Sequence, residues 1–299
     1  MRIALKVDVD TLRGTLEGVP ALVRLFQRHQ VQATFLFSLG PDNTGRALRR
    51  MLRPGFLSKV RRTSVVRHYG LRTLLYGTLL PGPDIGRRGA AVMRSVADAG
   101  HEVGVHCFNH VKWQDFVVHR NAEWTGLEME RAINAFQRVF CAAPRVHGAA
   151  GWQVNSQALA LEESMGFDYA SDTRGSRPFL PKINGEPSRC PQLPTTLPTL
   201  DELIGSDGVD ATNVHERVIA AASRPAEHGH VYTLHAELEG MQLLPVMERL
   251  LGAWSDSGAE VGPMRAIYDR LRRDRLPVQA VVMGEIPGRT GNLALQGGV

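Results

Sequence analysis

The sequence predicts an α/β fold on a parallel sheet, a (β/α) barrel or a distorted version of one. Three observations predict it. Short apolar strands alternate with helical stretches along most of the chain, several of those helices close on glycine, and residues of unusual chemistry collect just after the strands, where parallel α/β folds keep their chemistry.

Taken in order, residues 2–9 form an apolar strand, 17–30 an amphipathic helix and 32–38 a second strand. Residues 87–99 give a helix stopped by Gly100, 101–106 a strand, 122–140 a long helix and 145–149 another strand. A helix over 153–165 ends at Gly166 and leads into a strand at 167–171. Residues 176–199 are proline-rich and irregular, and helices near 213–223 and 242–254 flank a strand from Val231 to Leu234. With no internal repeat and no linker, the economical division is one domain over 1–299 with an insertion at 43–86.

A chain of 299 residues, 43% hydrophobic and 22% charged, is long and apolar enough to bury a large core and too polar for a polytopic membrane protein. No apolar run approaches the ~18 residues that span a bilayer. The N-terminus runs straight into the first strand without a signal-like region, so a cytoplasmic location is expected. Cys107, Cys141 and Cys190 are odd in number and widely spaced, which suits thiols in a reducing compartment.

The net charge of +5 is concentrated in one place. Between Asp42 and Asp84 there is no acidic residue, while Arg46, Arg49, Arg50, Arg53, Lys59, Arg61, Arg62, Arg67 and Arg72 are interleaved with Leu52, Phe56, Leu57, Val60, Leu71, Leu74, Leu75 and Tyr76. Basic and bulky apolar residues in alternation suit an anionic membrane surface. A solvated helical insertion is the other reading, and nucleic acid is disfavoured because no readout motif accompanies the charge.

Asp8 and Asp10 end the first strand, and i, i+2 spacing points both side chains the same way. Two crowded carboxylates need a cation or a proton between them. His106 and His110 follow the third strand, and two neutral imidazoles with one carboxylate make a three-ligand site for a divalent metal that leaves positions open. His235 ends the late strand at the same sheet edge, and an imidazole there suits proton donation. His101 starts its strand, away from this edge, and is read as structural; His119 is read as a surface residue.

An aspartate-bearing first strand, His-x-x-x-His, a glycine-centred loop after a later strand, an aspartate after the next and Leu234-His235 near the end resemble the polysaccharide deacetylases, the carbohydrate esterase group with the nodulation-deacetylase homology domain. The resemblance implies a distorted (β/α) barrel of that type with a basic amphipathic insertion. It gives Asp8 the role of catalytic base, Asp10 with His106 and His110 the metal, and His235 the role of proton donor. Val9 separates aspartates that are adjacent in the family, so the Asp8 and Asp10 labels remain exchangeable. The family's arginine beside the base has two candidates, Arg145 and Arg174.

The strings Val7 to Thr15, Gly40-Pro41-Asp42-Asn43, Leu193 to Thr199, His235 to Gly240 and Ile286-Pro287-Gly288-Arg289 are similar to one branch of the family, the deformylases of undecaprenyl phosphate-linked 4-deoxy-4-formamido-L-arabinose. That likeness implies release of formate from a lipid-linked amino sugar, later used on lipid A in polymyxin resistance, by a peripheral protein at the cytoplasmic face of the inner membrane. It implies a divalent cofactor (Mn, Co, Zn or Fe), and it puts Asn43, Ala150, Trp152, Asp172, Arg174, Glu237 and Glu239 at the substrate. A deacetylase of another N-acylated glycan and a non-catalytic anionic-lipid-binding module are the alternatives.

Overall fold

A computed structural model describes residues 1–51 and 71–298. The central sheet is parallel throughout, with strand order β5-β4-β3-β2-β1-β8. Its strands are β1 (Arg2–Val9), β2 (Thr34–Ser38), β3 (Glu102–Cys107), β4 (Val146–His147), β5 (Tyr169–Ala170) and β8 (His230–His235). Between β5 and β8 the chain forms β6 (Leu180–Ile183) and β7 (Glu186–Pro187), a small antiparallel pair. β9 (Glu260–Pro263) pairs in parallel with Arg2 to Leu5 of β1, whereas β2 pairs with Lys6 to Val9 on the same strand, so the sheet splays at its lower end.

The gap between β5 and β8 is closed by the proline-rich segment that the sequence marks as irregular. Leu193 N–H donates to Ala170 O at 2.7 Å and Thr195 N–H to Thr173 O at 2.9 Å, while Thr196 N–H reaches Val231 O at 3.1 Å. The prolines at 191, 194 and 198 fit a wall that hydrogen-bonds intermittently, because each removes one donor from a ladder. The result is the distorted barrel that the alternation predicts.

Every residue of β1 from Ile3 to Val9 is buried, as expected of a strand covered on both faces. Ile3, Leu5, Val7 and Val9 face outward into the core shared with helices α1 (Val19–Arg28), α2 (Ala90–Asp98), α3 (Ala122–Phe140), α4 (Val214–Ala222) and α5 (Leu244–Asp256). The alternate residues line the interior in layers. Ala4 packs with Leu36, Val146, Tyr169, Leu193 and Met264 at the bottom, Lys6 lies above it, and Asp8 lies above Lys6.

The predicted helices recur within a few residues of their expected ends, and α3 matches its expected span, 122–140. A Ser156–Ser164 helix and the short His110–Phe116 helix complete the elements around the site. The C-terminal hairpin β11 (Val281–Gly284) with β12 (Leu293–Gln296), and β9 and β10 (Val278–Gln279) before it, were not expected from the sequence. Of the 43–86 insertion, the structure describes a helix over Thr44–Met51, a turn of helix over Leu71–Leu75 and the segment to Gly86. Arg53, Lys59, Arg61, Arg62 and Arg67 lie outside the described residues.

Candidate active site

Asp10, His106 and His110 meet at the upper rim of the barrel. Asp10 Oδ1 lies 3.3 Å from His106 Nε2 and 3.4 Å from His110 Nε2, and this oxygen is buried with no hydrogen-bond partner. His106 Nδ1 sits 2.6 Å from Gly148 O; a carbonyl only accepts, so Nδ1 carries the proton and the Nε2 lone pair faces Asp10. His110 opens its helix behind Asn109, whose side chain accepts from Lys112 N–H, which fixes the imidazole at the end of the β3 turn. Burial pushes the Asp10 carboxyl up, but His110, then His106 and His235, outweigh it and hold the group well below the usual carboxylate range. Burial also lowers the pKa of His110, which favours the neutral imidazole a metal takes. A partnerless buried oxygen between two imidazole nitrogens, in a two-imidazole, one-carboxylate set, fits a divalent transition metal.

Asp8 sits one layer inside. It lies level with Leu36 of β2 and His235 of β8, and its Oδ1 is 3.9 Å from His106 Nδ1, the nitrogen already committed to Gly148. Asp8 is thus beside the three-residue set without facing a free imidazole nitrogen, whereas Asp10 faces two, an arrangement that favours Asp10 over Asp8 as the ligand-side carboxylate. His235 is opposite. Burial lowers its pKa, but the carboxylates of Asp201, then Asp10, Glu239 and Asp8, more than reverse this and the pKa is raised. Its Nδ1 is buried with no hydrogen-bond partner, and its ring stands edge-on to Trp152 at 6.4 Å.

The loop after β4 carries two consecutive left-handed residues, Gly151 (φ 63) and Trp152 (φ 52). A tryptophan in that region is strained and stays only where its surroundings hold it. Here Trp152 Nε1 donates to Thr195 Oγ1 at 3.2 Å, and the guanidinium groups of Arg289 and Arg174 lie 4.5 and 5.2 Å from the ring centroid. Below the loop, His147, Glu162, Asp172 and Gln192 form a fully interior polar cluster. His147 Nδ1 is 2.7 Å from Glu162 Oε1, Gln192 Nε2 donates to Asp172 Oδ2 at 2.6 Å, and Asp172 Oδ1 accepts the Ala149 N–H at 2.6 Å.

Asp172, expected at the substrate, is 0% exposed in this cluster and braces the loop from beneath. Burial opposes the charge on His147, but Asp172 and Glu162 push its pKa up to about 10, while His147 holds Asp172 well below the usual carboxylate range against its own burial. The His147 contribution to stability is present below the ordinary imidazole value of ~6.5 and fades as pH rises to about 10; that of Asp172 is present above ~4 and is lost as pH falls. Asp172→Asn is therefore expected to cost about 3 kcal/mol between roughly pH 4 and 6.5, with the deficit shrinking toward pH 10. Urea titrations across that range check it, and a pH-independent deficit would contradict it.

The remaining expected contacts divide. Ala150 and Trp152 lie in the loop facing His235, and Asn43 is half-buried at the start of the Thr44–Met51 helix. Arg174 is paired with Glu202 and donates to Leu197 O at 3.0 Å, so it stacks on Trp152 and does not reach Asp8. Arg145 is paired with Asp168 at the opposite end of the strand, with a 61% exposed side chain. Neither arginine buttresses the base.

Glu237 and Glu239, expected at the substrate, are buried and accept backbone N–H groups. Glu237 Oε1 accepts from Asp10 N–H at 3.1 Å, Thr11 N–H at 2.9 Å and the Thr11 hydroxyl at 2.8 Å, and a Cβ on Gly14 would lie 1.9 Å from it. Glu239 Oε2 accepts the His235 N–H at 2.9 Å. Burial, with Asp10 nearby, pushes Glu237 to about 8, and burial pushes Glu239 to about 7.

Three side chains near the site were given no place in it by sequence reasoning. Lys6 is a wholly interior lysine, and Asp201 and Arg289, paired at 3.0 Å, stand at the mouth beside His235 and Trp152. Lysine in an apolar strand was the available signal for the first, and the string Ile286-Pro287-Gly288-Arg289 for the last; no signal distinguishes Asp201 from surface charge.

A family model described as polysaccharide deacetylase matches residues 2–170. A Shewanella sediminis protein is 37% identical over 99% of this chain and 94% of its own length, and one from Wigglesworthia glossinidia brevipalpis is 30% identical over 95% and 98%. Both carry the name 4-deoxy-4-formamido-L-arabinose-phosphoundecaprenol deformylase ArnD, with the qualifier "probable". Among solved structures, a Mycobacterium smegmatis protein described as a polysaccharide deacetylase superposes with a TM-score of 0.66 at 18% identity, covering 95% of this chain and 94% of its own. A family 4 carbohydrate esterase from Streptomyces lividans gives 0.51 at 11% identity, covering 98% and 96%. These structures share the fold, and the full-length sequence matches, together with the barrel-rim arrangement of Asp8, Asp10, His106, His110 and His235, make this chain a member of the polysaccharide deacetylase family.

Proposed function

We propose that this protein hydrolyses the formamide of undecaprenyl phosphate-linked 4-deoxy-4-formamido-L-arabinose, giving formate and the free amino sugar lipid that serves lipid A modification and polymyxin resistance. The observation that carries the hydrolytic reading is the partnerless Asp10 Oδ1 held between two imidazole nitrogens, with Asp8 and His235 on either side. The substrate comes from the two full-length relatives. Asp10, His106 and His110 would hold a divalent ion, whose chemistry there would be Lewis acidity and a more acidic bound water, and this donor set suits zinc, cobalt, manganese or iron. Asp8 takes the proton of the attacking water. His235 delivers a proton to the departing nitrogen, because an amide anion is too basic to leave. Peptide N–H groups of the Ala150-Gly151 turn receive the charge that grows on the formyl oxygen.

Formate against acetate release from the formylated and the acetylated lipid-linked sugar tests the reading. Formate from the first at a rate far above acetate from the second is the expected result; acetate from soluble acetylated oligosaccharides would favour the deacetylase alternative. No metal and no turnover would leave only a lipid-binding module. Nucleic acid has no part in this reading.

A polyprenyl substrate keeps its tail in the bilayer, so the enzyme must work at the surface of the inner membrane, on its cytoplasmic side. No helix among the described residues is long and apolar enough to cross a membrane. Leu75, Leu79 and Leu80 are 37%, 81% and 39% exposed on a turn that Arg46 Nε ties down through Gly77 O at 2.6 Å. Asp42, at the base of this segment, accepts the Leu12 N–H at 3.0 Å, two residues past Asp10. These features support peripheral docking on anionic lipid by the basic 43–86 segment. Leu79→Glu should weaken binding to anionic vesicles about tenfold and slow turnover of membrane-embedded substrate, while formate release from a short-chain soluble analogue stays unchanged. A vesicle co-sedimentation assay with both substrates checks this.

A further inference from the structure

We propose that Lys6 is the positioning residue that aims the Asp8 carboxylate, and this rests on the reading of Asp8 as the base. Lysine is almost never fully buried unless it is paired, yet Lys6 is 0% exposed inside the barrel. Two residues before Asp8 on β1, it occupies the layer directly beneath, level with Thr34 of β2 and Thr233 of β8. Its Nζ donates to Ser171 O at 2.8 Å and lies 3.6 Å from Asp8 Oδ2 and 5.4 Å from the Trp152 ring centroid.

Ser171 belongs to the opposite wall of the barrel. Its N–H donates to His147 O at 2.9 Å and its hydroxyl to Leu193 O at 2.6 Å, so the carbonyl that receives Lys6 is fixed on both sides. Lys6 thereby ties the base across the barrel. Gly148 leaves the passage open: a Cβ there would sit 3.3 Å from Lys6 Cε, 3.4 Å from Nζ and 2.4 Å from Leu36 Cδ1. With Oδ2 facing the ammonium, Asp8 Oδ1 is the oxygen left buried and without a hydrogen-bond partner, on the side of His106. One carboxylate oxygen is anchored and the other is kept for the water. Arg145 and Arg174 are both spent elsewhere, and the cation comes from the base's own strand.

The test uses the full-length, metal-loaded protein and a short-chain formamido-arabinose phosphate, with kcat, KM, metal content and melting temperature read for each variant. Lys6→Met should keep its metal and a KM within about twofold of the parent while kcat falls about 100-fold, and Lys6→Arg, which restores a cation, should recover at least a tenth of the parental kcat. In an Asp8→Asn background, neither Lys6 substitution should lower kcat further, since groups acting as one unit are non-additive. Should Lys6→Met not fold, the Lys6→Arg cycle carries the test: a several-fold drop in kcat in the parent and none in Asp8→Asn.

A folded Lys6→Met with kcat within threefold of the parent would overturn the proposal. So would equal losses from Lys6→Arg in both backgrounds, because that marks a purely structural lysine. Full turnover by Asp8→Asn itself would sink the base assignment separately, before any Lys6 variant is compared.

Discussion

Asp8→Asn is expected to retain its metal and lose about 10³-fold in kcat, whereas Asp10→Asn is expected to lose both metal and turnover. The distinction follows from where the imidazole lone pairs point. His106 spends its Nδ1 proton on Gly148 O, 2.6 Å away, so its free lone pair on Nε2 faces Asp10 at 3.3 Å, and His110 brings a second Nε2 to the same oxygen at 3.4 Å. Asp8 meets only the committed Nδ1, at 3.9 Å. Removing one charge from Asp10 takes away the single anionic donor of the set, which should weaken metal retention by more than the ~10–100-fold typical of losing an outer partner. Removing it from Asp8 leaves the three donors intact and takes only the proton acceptor. Elemental analysis of the purified variants, beside formate release, separates the two; the reverse pattern would exchange the labels.

The elements that position this site were legible because they depend on local pattern. Alternating strands and helices, glycine stops and strand-end chemistry put Asp8, Asp10, His106, His110 and His235 at one rim, and the structure brings them there. What local pattern does not show shares a cause. Glu237 and Glu239 follow a histidine at a strand end, where charge ordinarily faces solvent or substrate; Glu239 turns back onto the His235 N–H and the Tyr232 hydroxyl of its own strand, and Glu237 is buried against the backbone of Asp10 and Thr11, more than 220 residues earlier. Asp172 has the same history, its partners being Ala149 and Gln192 on neighbouring walls. Lys6 could be noticed in the apolar strand but not placed: a lysine in a strand commonly marks an edge, and only the closure of the barrel shows that this one points inward. The β9 pairing and the C-terminal hairpin rest on register with distant strands, which no local period encodes.

His235→Gln should lower kcat on the formamide by about 10²–10⁴-fold, the range for loss of a positioned acid. The loss should be largest for nitrogen leaving groups. An amine expelled without a proton would depart as an amide anion, so the tetrahedral species would instead return water, whereas an aryl formate ester expels a stable phenolate and should be far less affected by the substitution. The pH dependence has a definite sign. Asp201, then Asp10, Glu239 and Asp8, raise the His235 pKa over the opposing effect of burial, so the acid stays loaded above the ordinary imidazole value of ~6.5, and activity should fall only as pH climbs through the raised value. Asp201 is the largest of these influences, and its 35% exposed side chain can be changed without opening the core. Asp201→Asn should therefore move the alkaline limb of the kcat profile to lower pH, with kcat at acid pH preserved, while His235→Gln should abolish that limb. A profile unmoved by Asp201→Asn, or an ester substrate as badly impaired as the formamide in His235→Gln, would remove His235 from the role of proton donor.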